Sequence, residues 1–391
     1  MSAIKIPKPA SGDKGPIQTV ESLQEHLQFA MAVELSTIPL YLYGMYSVNN
    51  DNAVSGAVRG VVVEEMLHLC LAGNALLAVG GTPKLYDPEI IPKYPAPMPG
   101  RKPDLILQLR EMTKENLQTY IDSAPLTKYA PQLELPEAAD APAQPDEYNT
   151  LGQFYLAIEQ GFQFLSSNPN LFNLATIPAQ FPPDSVFFPK FEDEGGIVVV
   201  QDLPSALTAL TTIVHQGEGN PRPFVGPDKD EKDHYDIFLD LQSGGQTWNT
   251  FPVALNPTSD QYLTQNTQIY AVSRTVDASF CYLLLTLEKL WTISSPDVRD
   301  NIIGGNFFQL MTGILGPLSG FLVQQQISPT SKEVAGPCFG YYKFDPPASA
   351  LQKLKQEIQS AITAYAGNPN ALATLQGVQQ TINGLVDIAT V

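Results

Sequence analysis

Val61–Leu71, VVVEEMLHLCL, decides the fold. Within an apolar run of helical length it carries Glu64, Glu65 and His68 and no Lys or Arg. Glu65 and His68 are three apart, which places both on one face of a helix. The helix reads from about Ala57 to Val79 and stops at Gly80-Gly81. An ionised carboxylate inside a helical core is costly unless it is paired or binds a metal. The run therefore predicts a buried helix that presents acid and imidazole together.

Three neighbouring helices repeat the theme. The first runs from Gln18 to about Val48, with Leu23, Leu27 and Met31 at every fourth position. There, in AMAVELSTIPLYL, Glu34 lies between Val33 and Leu35, and Pro39 is expected to kink the chain. The third, from near Thr150 to about Ser166, carries Glu159 in FYLAIEQGF. The fourth is capped by Asp202, has Pro204 in its first turn and runs to about Glu218. Its end, LTTIVHQGEG, sets His215 and Glu218 three apart. His234 comes next in DEKDHYDIF, at the start of a short helix.

Each part has an ordinary structural reading. Glu34 could bend out to solvent, Glu65 and His68 could pair with each other, and His215 could be a satisfied core histidine. His234 could be a surface residue, a ligand, or a side chain that orients one. Helical phase does not separate Glu64, four residues before His68, from Glu65. His26 reads as structural. Tyr41, Tyr43, Tyr46 and Tyr155 read as packing residues, with lining a pocket the less common role. Co-occurrence outweighs these readings. Between Gln18 and Leu77 the only Lys or Arg is Arg59, so protein cations do not balance the acids. A pair of metal ions would. Carboxylate-bridged di-iron and di-manganese bundles take one Glu from each of two helices and a Glu-x-x-His from each of the other two. Glu34 and Glu159 fit the single positions and Glu65-x-x-His68 fits a full motif. His215-x-x-Glu218 supplies the same residue types in reverse order. The spacing of three in that template favours Glu65 over Glu64. The predicted ligand set is Glu34, Glu65, His68, Glu159, His215, Glu218 and His234, with no catalytic residue assigned beyond it. If His215 or Glu159 turns away, the rest could still hold a single ion.

The remainder of the 391 residues frames this core. Forty acids against 22 Lys and Arg give a net charge of −18. Such a chain is a poor candidate for nucleic acid or an anionic membrane, which need clustered bases. Three cysteines give neither a disulfide framework nor a zinc pattern. The polar N-terminus resembles no signal peptide, and no run of about 18 apolar residues stands out. The expectation is a soluble cytoplasmic protein without a membrane span. LYDPEIIPKYPAPMPGRKPD holds six prolines in twenty residues and reads as an extended strap. A second Pro- and Ala-rich strap covers about Ala124 to Glu147. LILQL and the IVVV at 197–200 read as short strands, and REMTKENLQTYID as helix. Long helical runs lie at 264–293, 297–326, 350–366 and 370–388. The predicted organisation is a flexible segment (1–17), a helical metal-binding bundle (18–245) and a C-terminal helical region packed on it (246–391).

AVELSTIPLYLYGMYSV, VVVEEMLHLCLAGNALLAVGGTP and the strap after them resemble the ferritin-like domain of iminophenyl-pyruvate dimer synthase proteins. A related domain occurs in a bacterial violacein-pathway enzyme. LGQFYLAIEQG, IVHQGEG, DHYDIF and VAGPCF resemble later motifs of the family, so the resemblance covers about 18 to 345. It implies a mainly α, ferritin-like four-helix bundle with long Pro-rich loops, a few short strands and a C-terminal helical addition. It also implies metal-dependent, oxygen-using chemistry. Glu34, Glu65, His68, Glu159, Glu218 and His234 match the family pattern, whereas His215 stands where the family usually has Glu. An imidazole there removes one negative charge from the ligand set. The function expected is a non-haem oxidase or oxygenase with a di-iron cofactor, manganese or a single ion being the alternatives. Its partners would be dioxygen and a small aromatic or amino-acid-derived substrate, in a monomer or dimer. The alternative functions are an iron-handling protein without an organic substrate and a metal-free scaffold.

Overall fold

Thr19 caps the first helix by accepting the Ser22 N–H at 3.1 Å. α1 (Val20–Ser47) then pairs along its length with α2 (Asn52–Ala78). The structure is a computed structural model that describes residues 17–49, 52–99, 105–123, 151–183, 196–218 and 232–391. The side chains of 52, 151–153 and 218 are outside that description. So are the second strap and most of the FPPDSVFFPKF segment. Ile17, at the end of the expected flexible segment, is buried.

α2 is apolar over most of its surface because other elements enclose most of it. The stretch Ala53–Ala78 is long and apolar enough to cross a membrane, yet 78% of its most apolar window is buried inside the protein. That is the pattern of a core helix. α3 (Leu117–Ser123) precedes α4 (Leu151–Leu165), which packs on α1. α5 (Leu203–Ile213) packs on α2 and α4. α1, α2, α4 and α5 are therefore the four bundle helices. Asp202 caps α5: its carboxylate accepts the Ser205 N–H at 2.9 Å, and the Ser205 hydroxyl accepts the Asp202 N–H at 3.1 Å. α5 ends by widening into a π-helical turn, Val214–Glu218. α6 (His234–Ser243) lies against α2, α3 and this turn.

Strands are minor. β1 (Val48–Asn49), β2 (Ala96–Pro97), β3 (Ile106–Leu107) and β4 (Asn249–Thr250) form two antiparallel pairs, β1 with β4 and β2 with β3. The strand expected at 197–200 does not form a ladder. Side-chain amides take the place of a partner strand. Gln180 accepts the Val200 N–H and donates to the Val200 carbonyl, both at 2.7 Å, while Asn74 donates to the Val198 carbonyl at 3.0 Å. Of REMTKENLQTYID, only the part from Leu117 onward is helical.

The C-terminal half comprises α7 (Ser259–Gln265), α8 (Thr267–Leu290), α9 (Pro296–Ile302), α10 (Gly316–Leu322), α11 (Ala350–Ala364) and α12 (Pro369–Gly384). α8 is its centre, packed against α7, α10 and α11. α11 shows why: Leu351, Leu354, Ile358 and Ala361 recur at threes and fours and, with Ala350, are the residues it buries. Side chains lock this half to the bundle. The Trp291 indole N–H donates to Asn74 at 3.2 Å, and Glu288 accepts the Leu85 and Tyr86 N–H groups at 2.5 and 2.7 Å. Arg299 donates to the carbonyls of Pro178, Ala179 and Gln180. A Cβ at Gly73 would overlap the Trp291 ring, so glycine is what lets that ring lie on α2.

Candidate metal centre

α1 supplies Glu34, α2 supplies Glu64, Glu65 and His68, α6 supplies His234, and the π turn after α5 supplies Gln216. Glu34, Glu65 and His68 are each buried, and one ligand atom from each lies within 4.8 Å of the others. His68 Nδ1 is 3.5 Å from Glu34 Oε2 and 3.9 Å from Glu65 Oε2. It is buried and makes no hydrogen bond. The other ring nitrogen, Nε2, meets the Gln216 Oε1 at 3.1 Å. Tyr155 of α4 donates its hydroxyl to Glu34 Oε1. His234 lies 5.7 Å from His68, ring centre to ring centre, in a stacked arrangement. Its Nε2 is 2.7 Å from Glu64 Oε2 and its Nδ1 is 3.1 Å from Glu65 Oε1.

Burial and the crowd of acids set the protonation states. Burial, opposed by His68 and reinforced by the Glu65 charge, pushes the Glu34 carboxyl up to about 7. Burial also disfavours the Glu65 carboxylate, but His234 and His68 beside it outweigh that and hold the group below its usual range. His68 is raised: burial opposes its charge, and Glu34 and Glu65 overcome that. His234 behaves alike, with Glu64 and Glu65 raising it to about 10 against burial. The unbonded Nδ1 facing two carboxylates is the donor set a divalent cation takes, since nitrogen and oxygen ligands suit iron, manganese and zinc alike. Glu34, Glu65 and His68 fit such an ion.

Residues 27–243 match the ferritin-like family model. The chain belongs to the ferritin-like family. It is 25% identical over 396 residues to dichlorochromopyrrolate synthase of Lentzea aerocolonigenes, in an alignment covering 83% of this chain. The chain spans only 36% of the length of that relative. Among solved structures, a ferritin-like protein from Caulobacter vibrioides superposes with a TM-score of 0.51 at 22% identity. The superposition covers 75% of this chain and 97% of that one and bears on the fold alone.

Within the ferritin-like bundle, the ligand candidates divide. Glu34, Glu65 and His68 come together. Glu65, not Glu64, faces Glu34 and His68, and Glu64 pairs with His234 instead. His234 joins the cluster through Glu65. Glu159 is half-buried one turn beyond Tyr155 on α4, and its carboxylate accepts from Gln163 at 3.2 Å. His215 is half-buried on the π turn, and burial holds its pKa below the usual value. The Glu218 side chain lies outside the described residues. Two contributors do not announce themselves in the sequence. Gln216 stands between His215 and Glu218 in the HxxE motif itself, but an amide carries no ligand signal. Tyr155 reads as one packing tyrosine among several; its spacing of four from Glu159 is the clue to a shared face.

Proposed function

We propose that this ferritin-like protein is a non-haem metal-dependent oxidase or oxygenase that acts on a small, aromatic or amino-acid-derived substrate with dioxygen. One observation carries it: a buried Glu34–Glu65–His68 group whose free ring nitrogen faces two carboxylates. Iron held there would supply the redox chemistry. Glu34 and Glu65 would neutralise the ion and His68 would complete the ligand set. Tyr155 orients Glu34 through its hydroxyl, and His234 orients Glu65. Glu159, His215 and Glu218 are the candidates for a second ion. A relative named as a synthase supports an enzymatic role. A protein that works on one small substrate needs no cage, so a monomer or dimer belongs to the proposal.

The test is metal uptake. Protein loaded anaerobically with Fe(II) and desalted should retain at least one equivalent. Less than about half an equivalent of iron or manganese would defeat the proposal in favour of a metal-free scaffold. A multi-subunit shell that accumulates iron in excess of its ligands would favour iron handling without an organic substrate.

A further inference from the structure

The π turn bears on His68 from two sides. A π turn bonds i to i+5, one residue wider than an α turn, and such turns are frequent at functional sites. Here the extra residue brings Gln216 inward: it is 4% exposed, while Val214 and His215 just before it are half-buried. The Gln216 Oε1 meets His68 Nε2 at 3.1 Å. An amide oxygen only accepts, so His68 Nε2 carries the hydrogen. The neutral ring then has its lone pair on Nδ1, the buried atom without a hydrogen bond that faces Glu34 and Glu65. The next residue, Gly217, lies beside the Cε1–Nδ1 edge of the ring. A Cβ there would come within 3.3 Å of His68 Cε1 and 3.6 Å of Nδ1. The turn thus fixes one nitrogen and leaves the space around the other open.

We propose that Gln216 is a positioning residue: it locks His68 as the Nε2–H tautomer and so aims Nδ1 into the cation place between Glu34 and Glu65. This rests on the metal reading above. Partners of this kind change metal affinity by about 10- to 100-fold when removed. What the ring needs is an acceptor at that spot, not the volume of glutamine.

Two readouts separate the possibilities. In metal-free protein with ¹⁵N-labelled histidine, held above the titration of His68, long-range NMR correlations should show Nε2 protonated and Nδ1 bare. Gln216→Met should scramble that preference. Co(II) titration followed by visible absorption is the second readout. Gln216→Met, close in volume but with only a weak thioether acceptor, should weaken Co(II) binding by about 10- to 100-fold at unchanged circular dichroism. Gln216→Glu keeps an acceptor and should bind at least as tightly as the parent. Equal losses in the Met and Glu variants, no loss in the Met variant, or an Nδ1–H ring in the parent protein would overturn the assignment. If the parent takes up no Co(II) at all, the metal reading is what fails, and the NMR experiment still decides the role of Gln216.

Discussion

At the scale of single residues, Glu65 and His68 face both the candidate ion place and the neighbouring acids. Glu65→Ala and His68→Ala should each lower retained Fe(II) by at least about tenfold, read by elemental analysis, while the helical circular dichroism is kept. Glu159→Ala should have a smaller effect, because its carboxylate bonds along α4 to Gln163. Another buried acid offers a pH test away from the candidate metal centre. Asp277 accepts from Ser259 Oγ at 2.5 Å and from the Gly340 N–H at 2.8 Å, and burial raises its carboxyl from 3.8 to about 6. An acid whose folded value is raised holds its proton more tightly when folded. Folding is therefore penalised as pH rises from about 4 to 6, and the penalty is complete above that. Asp277→Asn keeps an acceptor for Gly340 and gains a donor for Ser259. It should be neutral near pH 4 and stabilise by on the order of 1–2 kcal/mol at pH 7.5, read from urea midpoints. How much of the site is legible in the sequence also differs residue by residue. Glu34, Glu65 and His68 can be read because an acid in an apolar helix demands a partner and a spacing of three names the face. Gln216 cannot, since an uncharged amide makes no such demand.

At the scale of elements, α5 sets the geometry of the site from a distance. Its capping box at Asp202 and Ser205 starts the helix whose far end carries Gln216. Asp202→Ala should cost about 1 kcal/mol of stability by thermal or urea melting. The widened turn also explains why the HxxE motif is only half legible. Residues three apart share a face on an α-helix. Over Val214–Glu218 the chain is π-helical, so that rule lapses, and Gln216 is the residue turned fully inward. The helices themselves are readable from apolar periodicity, and Asp202 is readable as a cap. The expected strand at 197–200 fails for a different reason. Four apolar residues fix burial but not a partner, and here the partners are the amides of Gln180 and Asn74.

At the scale of the whole molecule, the two halves are joined by side chains reaching across long stretches of sequence. Arg299 illustrates the strength of the joint. Arg299→Met would leave the carbonyls of Pro178, Ala179 and Gln180 without their buried cationic donor. The loss should be about 3 kcal/mol or more by urea denaturation. None of this pairing is visible in the sequence, because nothing local says which loop a distant Arg or Trp will meet. The joint also has a consequence in time. Asn74 and Trp291 are 217 residues apart, and Tyr86 and Phe344 are joined across 258. A ribosome adding about 5–20 residues per second needs roughly 10–40 s to travel from Asn74 to Trp291. During that interval the patch of α2 at Gly73 and Asn74 lacks the Trp291 ring that covers it. The joint between the halves is therefore the last part of the fold that synthesis can complete, long after α1 and α2 can pair.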